Sequence, residues 1–118
     1  MSRRAIVTAL AAITGLVHLL IGTFDTLYPA LQDAAPLSAR GGLMASWYLT
    51  GLFLLWSVHV FWHGQEGARQ LGWVWIAGGM TFTVIALVEG GLPGLIALPQ
   101  WIALCLTGGL ALTLPRRR

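Results

Sequence analysis

Residues 5–23 read AIVTALAAITGLVHLLIGT, and this stretch decides the class of fold. A helix needs about 20 predominantly apolar residues to cross the roughly 30 Å hydrocarbon core of a bilayer. Residues 43–62, 71–88 and 94–114 have the same length and character. The sequence therefore predicts an all-α protein in which residues 1–118 form one transmembrane domain, an antiparallel four-helix bundle with four spans.

The composition agrees with a membrane protein. Of the 118 residues, 57% are hydrophobic and 9% are charged, whereas soluble domains carry about 25% charged residues. The four spans take up most of the chain, so no room remains for a soluble domain. The lipid bilayer is the first predicted partner.

The arginines predict the orientation. Six of them fall at the N-terminus, in the second connection and at the C-terminus, which share one side in a four-span chain: Arg3, Arg4, Arg69, Arg116, Arg117 and Arg118. Because cytoplasmic loops are enriched in Lys and Arg, both termini are predicted on the cytoplasmic side of a bacterial inner membrane. The pI of about 10.0 then reflects topology, and no nucleic-acid partner is predicted.

Small residues recur where helices are expected to touch. In lipid, close backbone approach through Gly and Ala favours helix association. The positions with this role are Ala11, Gly15 and Gly22 in the first span, Gly51 in the second, Gly78 and Gly79 in the third, and Gly108 and Gly109 in the fourth.

His18 stands inside the first span, where an ionisable residue is costly and usually lines a cavity or pairs with another polar group. In an α-helix His18, Gly22 and Asp25 project on one face, because they are spaced i, i+4, i+7. Gly22 leaves space for a water or a ligand one turn above the imidazole. Counting 1.5 Å per residue from the outer ends places other polar and aromatic groups near the same level. The predicted outward-facing pocket comprises His18, Gly22, Asp25, Trp47, Tyr48, Glu89 and Gln100.

Each of these residues also has a purely structural explanation. His18 can join helices by a hydrogen bond to Tyr48, Gln100 or a backbone carbonyl. Asp25 can be a turn residue at the interface, and Glu89 can be solvated at the rim. Pro99 deprives the Leu95 carbonyl of its usual backbone donor if the fourth helix begins near Pro93, and Gln100 can satisfy the resulting kink.

Other tryptophans are predicted as anchors at the membrane interface: Trp56, Trp62, Trp73 and Trp75. On the cytoplasmic side His59, His63 and Glu66 have the spacing i, i+4, i+7, but Gly64 interrupts the helix and a fourth ligand is missing, so no metal is predicted. His18 and His59 lie too far apart to ligate one haem, and no cofactor is predicted. Cys105, the lone cysteine, is interpreted as a small apolar residue.

The chain resembles small bacterial four-helix membrane proteins. The residues that carry the resemblance are His18, Gly22 and Asp25 in the pattern His-x3-Gly-x2-Asp, Trp47 at the outer end of the second span, and Pro99-Gln100-Trp101 in the fourth. The resemblance implies one transmembrane domain and no particular activity. Small multidrug exporters differ because they place a glutamate in the first span, and the signatures of fluoride channels are absent. The set of His, Glu, Asp and Trp is distantly similar to that of sterol-isomerase-type membrane proteins.

Three functions remain open from the sequence. The first is binding or transport of a small, partly apolar ligand in the pocket, coupled to a proton through His18, since histidine changes charge near physiological pH. The second is a membrane-embedded enzyme that isomerises, cyclises or hydrates an isoprenoid, sterol-like or quinone-like lipid, with His18, Asp25 and Glu89 as catalytic acids and bases. The third is an accessory subunit of a larger membrane complex. A homodimer is also open, and transport would require one if no pathway continues to the cytoplasm.

Overall fold

The computed structural model describes residues 2–33, 36–64 and 67–115. Within these ranges the chain is almost entirely helical and contains no strand, which confirms the all-α prediction. Three helices are long and apolar enough to cross a membrane, and a fourth apolar helix is shorter.

The first helix extends beyond the predicted span. It begins as α1 (Arg3–Leu16), capped by the Ser2 hydroxyl, which accepts a hydrogen bond from the Ala5 amide at 3.2 Å. It continues through two π-helical segments, Val17–Ile21 and Thr23–Leu27, into α2 (Tyr28–Asp33). The whole forms one apolar helix over Arg3–Asp33. Helical backbone bonds therefore carry on past residue 23, the predicted end of the first span, and past Asp25.

The second helix, α3 (Leu37–His63), also begins earlier than the predicted residue 43. It ends at Gly64, which adopts the left-handed conformation with φ 59°. Glycine suits this cap because it has no Cβ to clash there. The guanidinium of Arg4 covers the cap, since a Cβ on Gly64 would lie 2.6 Å from the Arg4 Cζ.

The third helix, α4 (Ala68–Ala97), is two helical segments joined at Gly91. Gly91 has φ 59° and ψ −149°, a region that is essentially restricted to glycine. Beyond it the chain folds back. Gly94 then lies so close to Ala86 that a Cβ on Gly94 would collide with the Ala86 carbonyl oxygen. Residues 68–90 thus form one long helix, and residues 92–97 return alongside it.

The last helix, α5 (Gln100–Leu112), has 13 residues, and the predicted helix over residues 94–114 is interrupted. Leu98 has non-helical dihedral angles of φ −119° and ψ 68°. Pro99 follows, and proline disfavours helical dihedrals in the preceding residue. The structure therefore breaks the helix at Leu98 and Pro99, whereas the sequence predicted a kink within a continuous helix.

The helices pack as two pairs. α1 lies against α3, α4 lies against α5, and α1 also contacts α5. The buried core comes from the start of α1 and α4 and the end of α3 and α5; its members are Val7, Ala11, Leu54, Val60, Phe61, Ala68, Leu71, Trp75, Ala111 and Leu114. We call this end of the molecule, which carries Arg3, Arg4 and Arg69, the arginine end. The opposite end, which carries Asp33, Leu37 and Gly91, is the far end.

Glycines bring α4 and α5 into backbone contact, as the small-residue pattern predicts. A Cβ on Gly108 would lie 2.6 Å from the Gly72 carbonyl oxygen. Gly79 is equally enclosed, since its Cβ would lie 3.0 Å from the Cys105 amide nitrogen. By contrast, a Cβ on Gly109 would meet nothing within 4 Å, so the prediction of a contact there is wrong.

Trp75 belongs to the core and is not an interfacial anchor. Its side chain is only 1% exposed, and its indole Nε1 donates a hydrogen bond of 3.0 Å to the Ser57 hydroxyl. That hydroxyl in turn donates to the Phe53 carbonyl at 2.8 Å. The other three predicted anchors, Trp56, Trp62 and Trp73, are exposed. A polar partner within the core makes burial of the Trp75 indole affordable.

The outer surface is strongly apolar. Large hydrophobic side chains such as Val88, Leu92 and Ile96 are 75%, 75% and 83% exposed. Monomeric soluble proteins rarely expose contiguous apolar surface of this kind. Together with the lengths of the three long helices, this surface places the protein in a membrane.

Candidate functional site

His18 and Trp47 form the centre of the candidate site. His18 lies in the first π-helical segment, and Trp47 lies on α3. Their rings stack with centroids 4.2 Å apart and an interplanar angle of 19°. The imidazole Nε2 lies 3.0 Å from the Trp47 carbonyl oxygen. Because a carbonyl oxygen only accepts, Nε2 carries the proton of this hydrogen bond. Of the structural explanations above, the bond to a backbone carbonyl is the one observed.

Thr23 ties the indole of Trp47 to the first helix. The Trp47 Nε1 donates to the Thr23 hydroxyl at 3.2 Å, and that hydroxyl donates to the Leu19 carbonyl at 2.6 Å. Thr23 is 5% exposed. Thr23 is not among the site residues predicted from the sequence. The available signal was the spacing of four residues that Thr23 shares with small or apolar residues of the first helix: Ala11, Gly15, Leu19, Leu27 and Leu31.

The Trp47 ring packs directly against Gly22. A Cβ on Gly22 would lie 2.8 Å from Cζ2 of Trp47, so only glycine admits the indole at this distance. The space that the sequence analysis left above the imidazole is therefore filled by protein. The absence of a side chain at Gly22 lets the indole of Trp47 pack against the first helix.

The π-helical segments turn Asp25 away from His18. Seven α-helical residues return to within about 20° of the starting face. Seven residues at about four per turn, the repeat that the buried positions of this helix show, end roughly 90° away. Asp25 is accordingly exposed, while Thr23 and Leu27 are buried, at 5% and 1% exposure. The prediction that Asp25 shares the face of His18 is wrong, because it assumed regular α-helix.

The other predicted site residues lie at the far end without joining this network. Tyr48 is next to Trp47 on α3 and is 40% exposed. Glu89 precedes the Gly91 turn, and Gln100 opens α5; both are exposed. Among the described residues, no hydrogen bond links Asp25, Tyr48, Glu89 or Gln100 to His18 or Trp47. The structure thus brings together His18, Gly22 and Trp47.

A groove opens next to this network at the far end. It lies between α2 and the start of α3 and has a volume of ≈ 650 Å³. Its lining consists of Tyr28, Leu31, Gln32, Arg40 and Met44. Met44 precedes Trp47 by three residues on α3, so both lie on one helix face. Leu31 continues the buried side of the first helix, and we call this feature the outer groove.

The carbonyl of Leu95 accepts a hydrogen bond from a side chain, but not from Gln100, the residue that the sequence suggested. The indole Nε1 of Trp101 donates to it at 3.0 Å. Gln100, which was expected beside this carbonyl, has an exposed side chain at the start of α5. Trp101 was missed because it follows the proline by only two residues. An indole is long enough to reach back across that break.

The two histidines at the arginine end contact each other through tilted rings. The rings of His59 and His63 have centroids 4.2 Å apart, and His63 Nδ1 donates to the His59 carbonyl at 2.9 Å. Within the described ranges, no group of three His, Cys, Asp or Glu residues has metal-binding geometry. Glu66, the third member of the i, i+4, i+7 series, lies outside the described residues.

Compared with protein-family models, curated proteins and solved structures, the chain matches none. The resemblance to small bacterial four-helix membrane proteins therefore stays a prediction. Function has to be argued from the site itself.

Proposed function

We propose that the protein is a multi-pass protein of the bacterial inner membrane whose outward-facing half binds or transports a small, partly apolar ligand. The proposal has two parts, a topology and a site. Each is supported by a separate observation and is tested by a separate experiment.

The proposed topology has four crossings and both termini in the cytoplasm. Residues 2–4 and 113–115 line one groove, so the first and last described residues lie at the same end of the molecule. An even number of crossings accounts for this. Residues 92–97 and α5 together supply the fourth crossing, about 28 Å long at 1.5 Å per helical residue. The arginine end is then cytoplasmic by the positive-inside rule.

The observation that carries the proposed site is the state of the His18 imidazole. Its Nε2 donates a hydrogen bond to the Trp47 carbonyl oxygen. In the described part of the chain Nδ1 forms no hydrogen bond, and His18 is only half-buried. A second ring nitrogen within a span needs a partner, because water is scarce there. Nδ1 is thus available to bind a polar group of a ligand.

The outer groove supplies the volume of the proposed site and lies between α2 and the start of α3, further toward the far end than His18. Leu31 and Met44 offer apolar contact, while Tyr28, Gln32 and Arg40 offer hydrogen bonds. Its volume falls within the range of small-molecule sites, about 300–1,000 Å³. The remaining predicted residues, Asp25, Tyr48, Glu89 and Gln100, are exposed but do not line the outer groove.

We place binding or transport ahead of catalysis. General acid–base catalysis needs a donor and an acceptor positioned on the same substrate. His18 is the only ionisable member of the hydrogen-bonded network, and Asp25 points away from it. A single ionisable residue suits a binding step better than a complete acid–base cycle.

The test is native mass spectrometry with lipid extraction of the purified protein. We expect a small molecule to copurify with the wild type and to be lost from His18→Ala. Thr81→Val is a matched control, since Thr81 is exposed and its hydroxyl only bonds its own helix, to the Ala77 carbonyl at 2.9 Å. Retention of the same molecule by both variants would contradict the site. A change confined to oligomeric state in His18→Ala would favour the accessory-subunit hypothesis.

A further inference from the structure

A second groove lies at the arginine end, where the start of α1 meets the end of α5. It has a volume of ≈ 550 Å³. One wall is formed by Ser2, Arg3 and Arg4 and the other by Thr113, Leu114 and Pro115. We call it the terminal groove. It is remote from the network of His18 and Trp47; the inference below rests on the proposed topology and not on the ligand proposed for that network.

The terminal groove is suited to an anion. Arg3 is exposed, and Arg4 is half-buried with its guanidinium held over Gly64. Two adjacent guanidinium groups offer several N–H donors in the planar geometry that matches phosphate oxygens. Arg69 lies at the same end of the molecule, and none of the residues that line the terminal groove is acidic. The charge of these described residues therefore favours a negative ligand.

The surroundings select an anion that carries an apolar part. The terminal groove lies at the ends of two apolar helices, which is the level of the lipid headgroups. Leu114 and Pro115 form an apolar wall opposite the arginines. The helix surfaces beyond it expose large hydrophobic side chains, including Ile102 and Leu106 of α5, at 50% and 51%. Acyl chains can follow this surface while a headgroup phosphate contacts Arg3.

We propose that the terminal groove binds an anionic phospholipid through its headgroup phosphate. Basic pockets between transmembrane helices on the cytoplasmic side bind such headgroups. A lipid held there bridges α1 and α5, the first and last helices of the chain. The site is thus a specific lipid-binding site and differs from a diffuse attraction between a basic protein and an anionic membrane.

The experiment compares two lipids with the same acyl chains. Native mass spectrometry of the full chain in detergent measures binding of dioleoylphosphatidylglycerol and, as the zwitterionic control, dioleoylphosphatidylcholine. We expect wild type to prefer the anionic lipid. In Arg3→Gln the ratio of anionic to zwitterionic lipid bound should fall about fivefold, the effect of one basic residue near a membrane surface. Arg3→Lys keeps the charge and should retain most of it.

A further variant removes the same charge elsewhere. Arg69 lies at the arginine end but outside the terminal groove. Arg69→Gln should keep the lipid preference. Equal losses in Arg3→Gln and Arg69→Gln would show attraction by net charge alone and would overturn the proposal. So would a wild type that binds both lipids equally. Thermal unfolding of Arg3→Gln checks that the variant is folded.

Discussion

At the scale of single residues, Trp47 joins the first helix to α3 through several different contacts. Its carbonyl accepts from His18, its ring stacks on the imidazole, and its Nε1 donates to Thr23. The edge of the same ring rests on Gly22. The carbonyl contact holds the imidazole, while the contacts to the ring and to Nε1 together hold one rotamer of the indole. Trp47 thereby positions an imidazole on the neighbouring helix.

Gly22→Ala tests this arrangement. The added methyl would lie 2.8 Å from Cζ2 of Trp47, so the indole has to shift and its bonds to His18 and Thr23 weaken. Overpacking of this kind costs about 1–3 kcal/mol. We expect the free energy of unfolding in detergent to fall by that amount, together with a change in near-UV circular dichroism.

Gly41→Ala is the control for this substitution. Gly41 is also helical, and a Cβ there meets nothing within 4 Å. Alanine is the better helix former by about 1 kcal/mol, so Gly41→Ala should be neutral or slightly stabilising. If Gly22→Ala were as stable as Gly41→Ala, the close contact between Trp47 and Gly22 would be disproved.

At the scale of elements, the π-helical segments keep the buried side of the first helix straight. The buried and partly buried positions from Ala11 to Leu31 recur every four residues, whereas an α-helix repeats every 3.6. In regular α-helix such a series drifts by about 40° per step. The wider π turns rotate it back. The repeat of four is therefore accommodated by alternating two helix types, and Asp25 turns outward as a result.

The reversal at Gly91 is the second decisive element, and Gly91→Ala tests it. The nearest atom to an added Cβ is the Pro93 Cδ at 3.9 Å, so the substitution causes no clash. Its effect comes from the backbone alone, because φ 59° with ψ −149° is strained for alanine. We expect the free energy of unfolding to fall by about 1–3 kcal/mol.

The neighbouring Gly90→Ala is a matched control for the turn. Gly90 is helical, and a Cβ there meets nothing within 4 Å. We expect Gly90→Ala to be at least as stable as wild type, since alanine favours helix. Similar unfolding free energies for the two variants would mean that the chain does not need the glycine conformation at residue 91.

At the scale of the whole molecule, the proposed topology can be mapped with single cysteines. Cys105→Ser removes the native thiol, and Ser2→Cys, Ser38→Cys or Thr113→Cys then introduces one at a time. These three positions are exposed. We expect a membrane-impermeant maleimide to label residue 38 in intact cells and to label residues 2 and 113 only after permeabilisation. Labelling of residue 113 but not residue 2 from outside would indicate an odd number of crossings.

Individual residues show how much of the structure could be predicted from the sequence. The glycine pattern correctly predicted close contacts at Gly15, Gly22, Gly51, Gly79 and Gly108. Pro99 also predicted that the Leu95 carbonyl needs a side-chain partner, and that partner is Trp101 and not Gln100. The burial of Trp75 was missed, because its Ser57 partner lies 18 residues away on another helix. Such pairings depend on how helices pack, which local spacing does not encode.

By itself the sequence determined that the chain is helical, that it is apolar enough for a membrane, and that an ionisable group lies within the first span. These properties follow from the transfer free energies of individual residues, which add along the chain. Only the tertiary structure decided that Trp47 fills the space over Gly22, that Asp25 faces away from His18, and that the chain reverses at Gly91. The physical reason is that a small departure from regular α-helix rotates every later side chain. Contacts between distant residues select that departure.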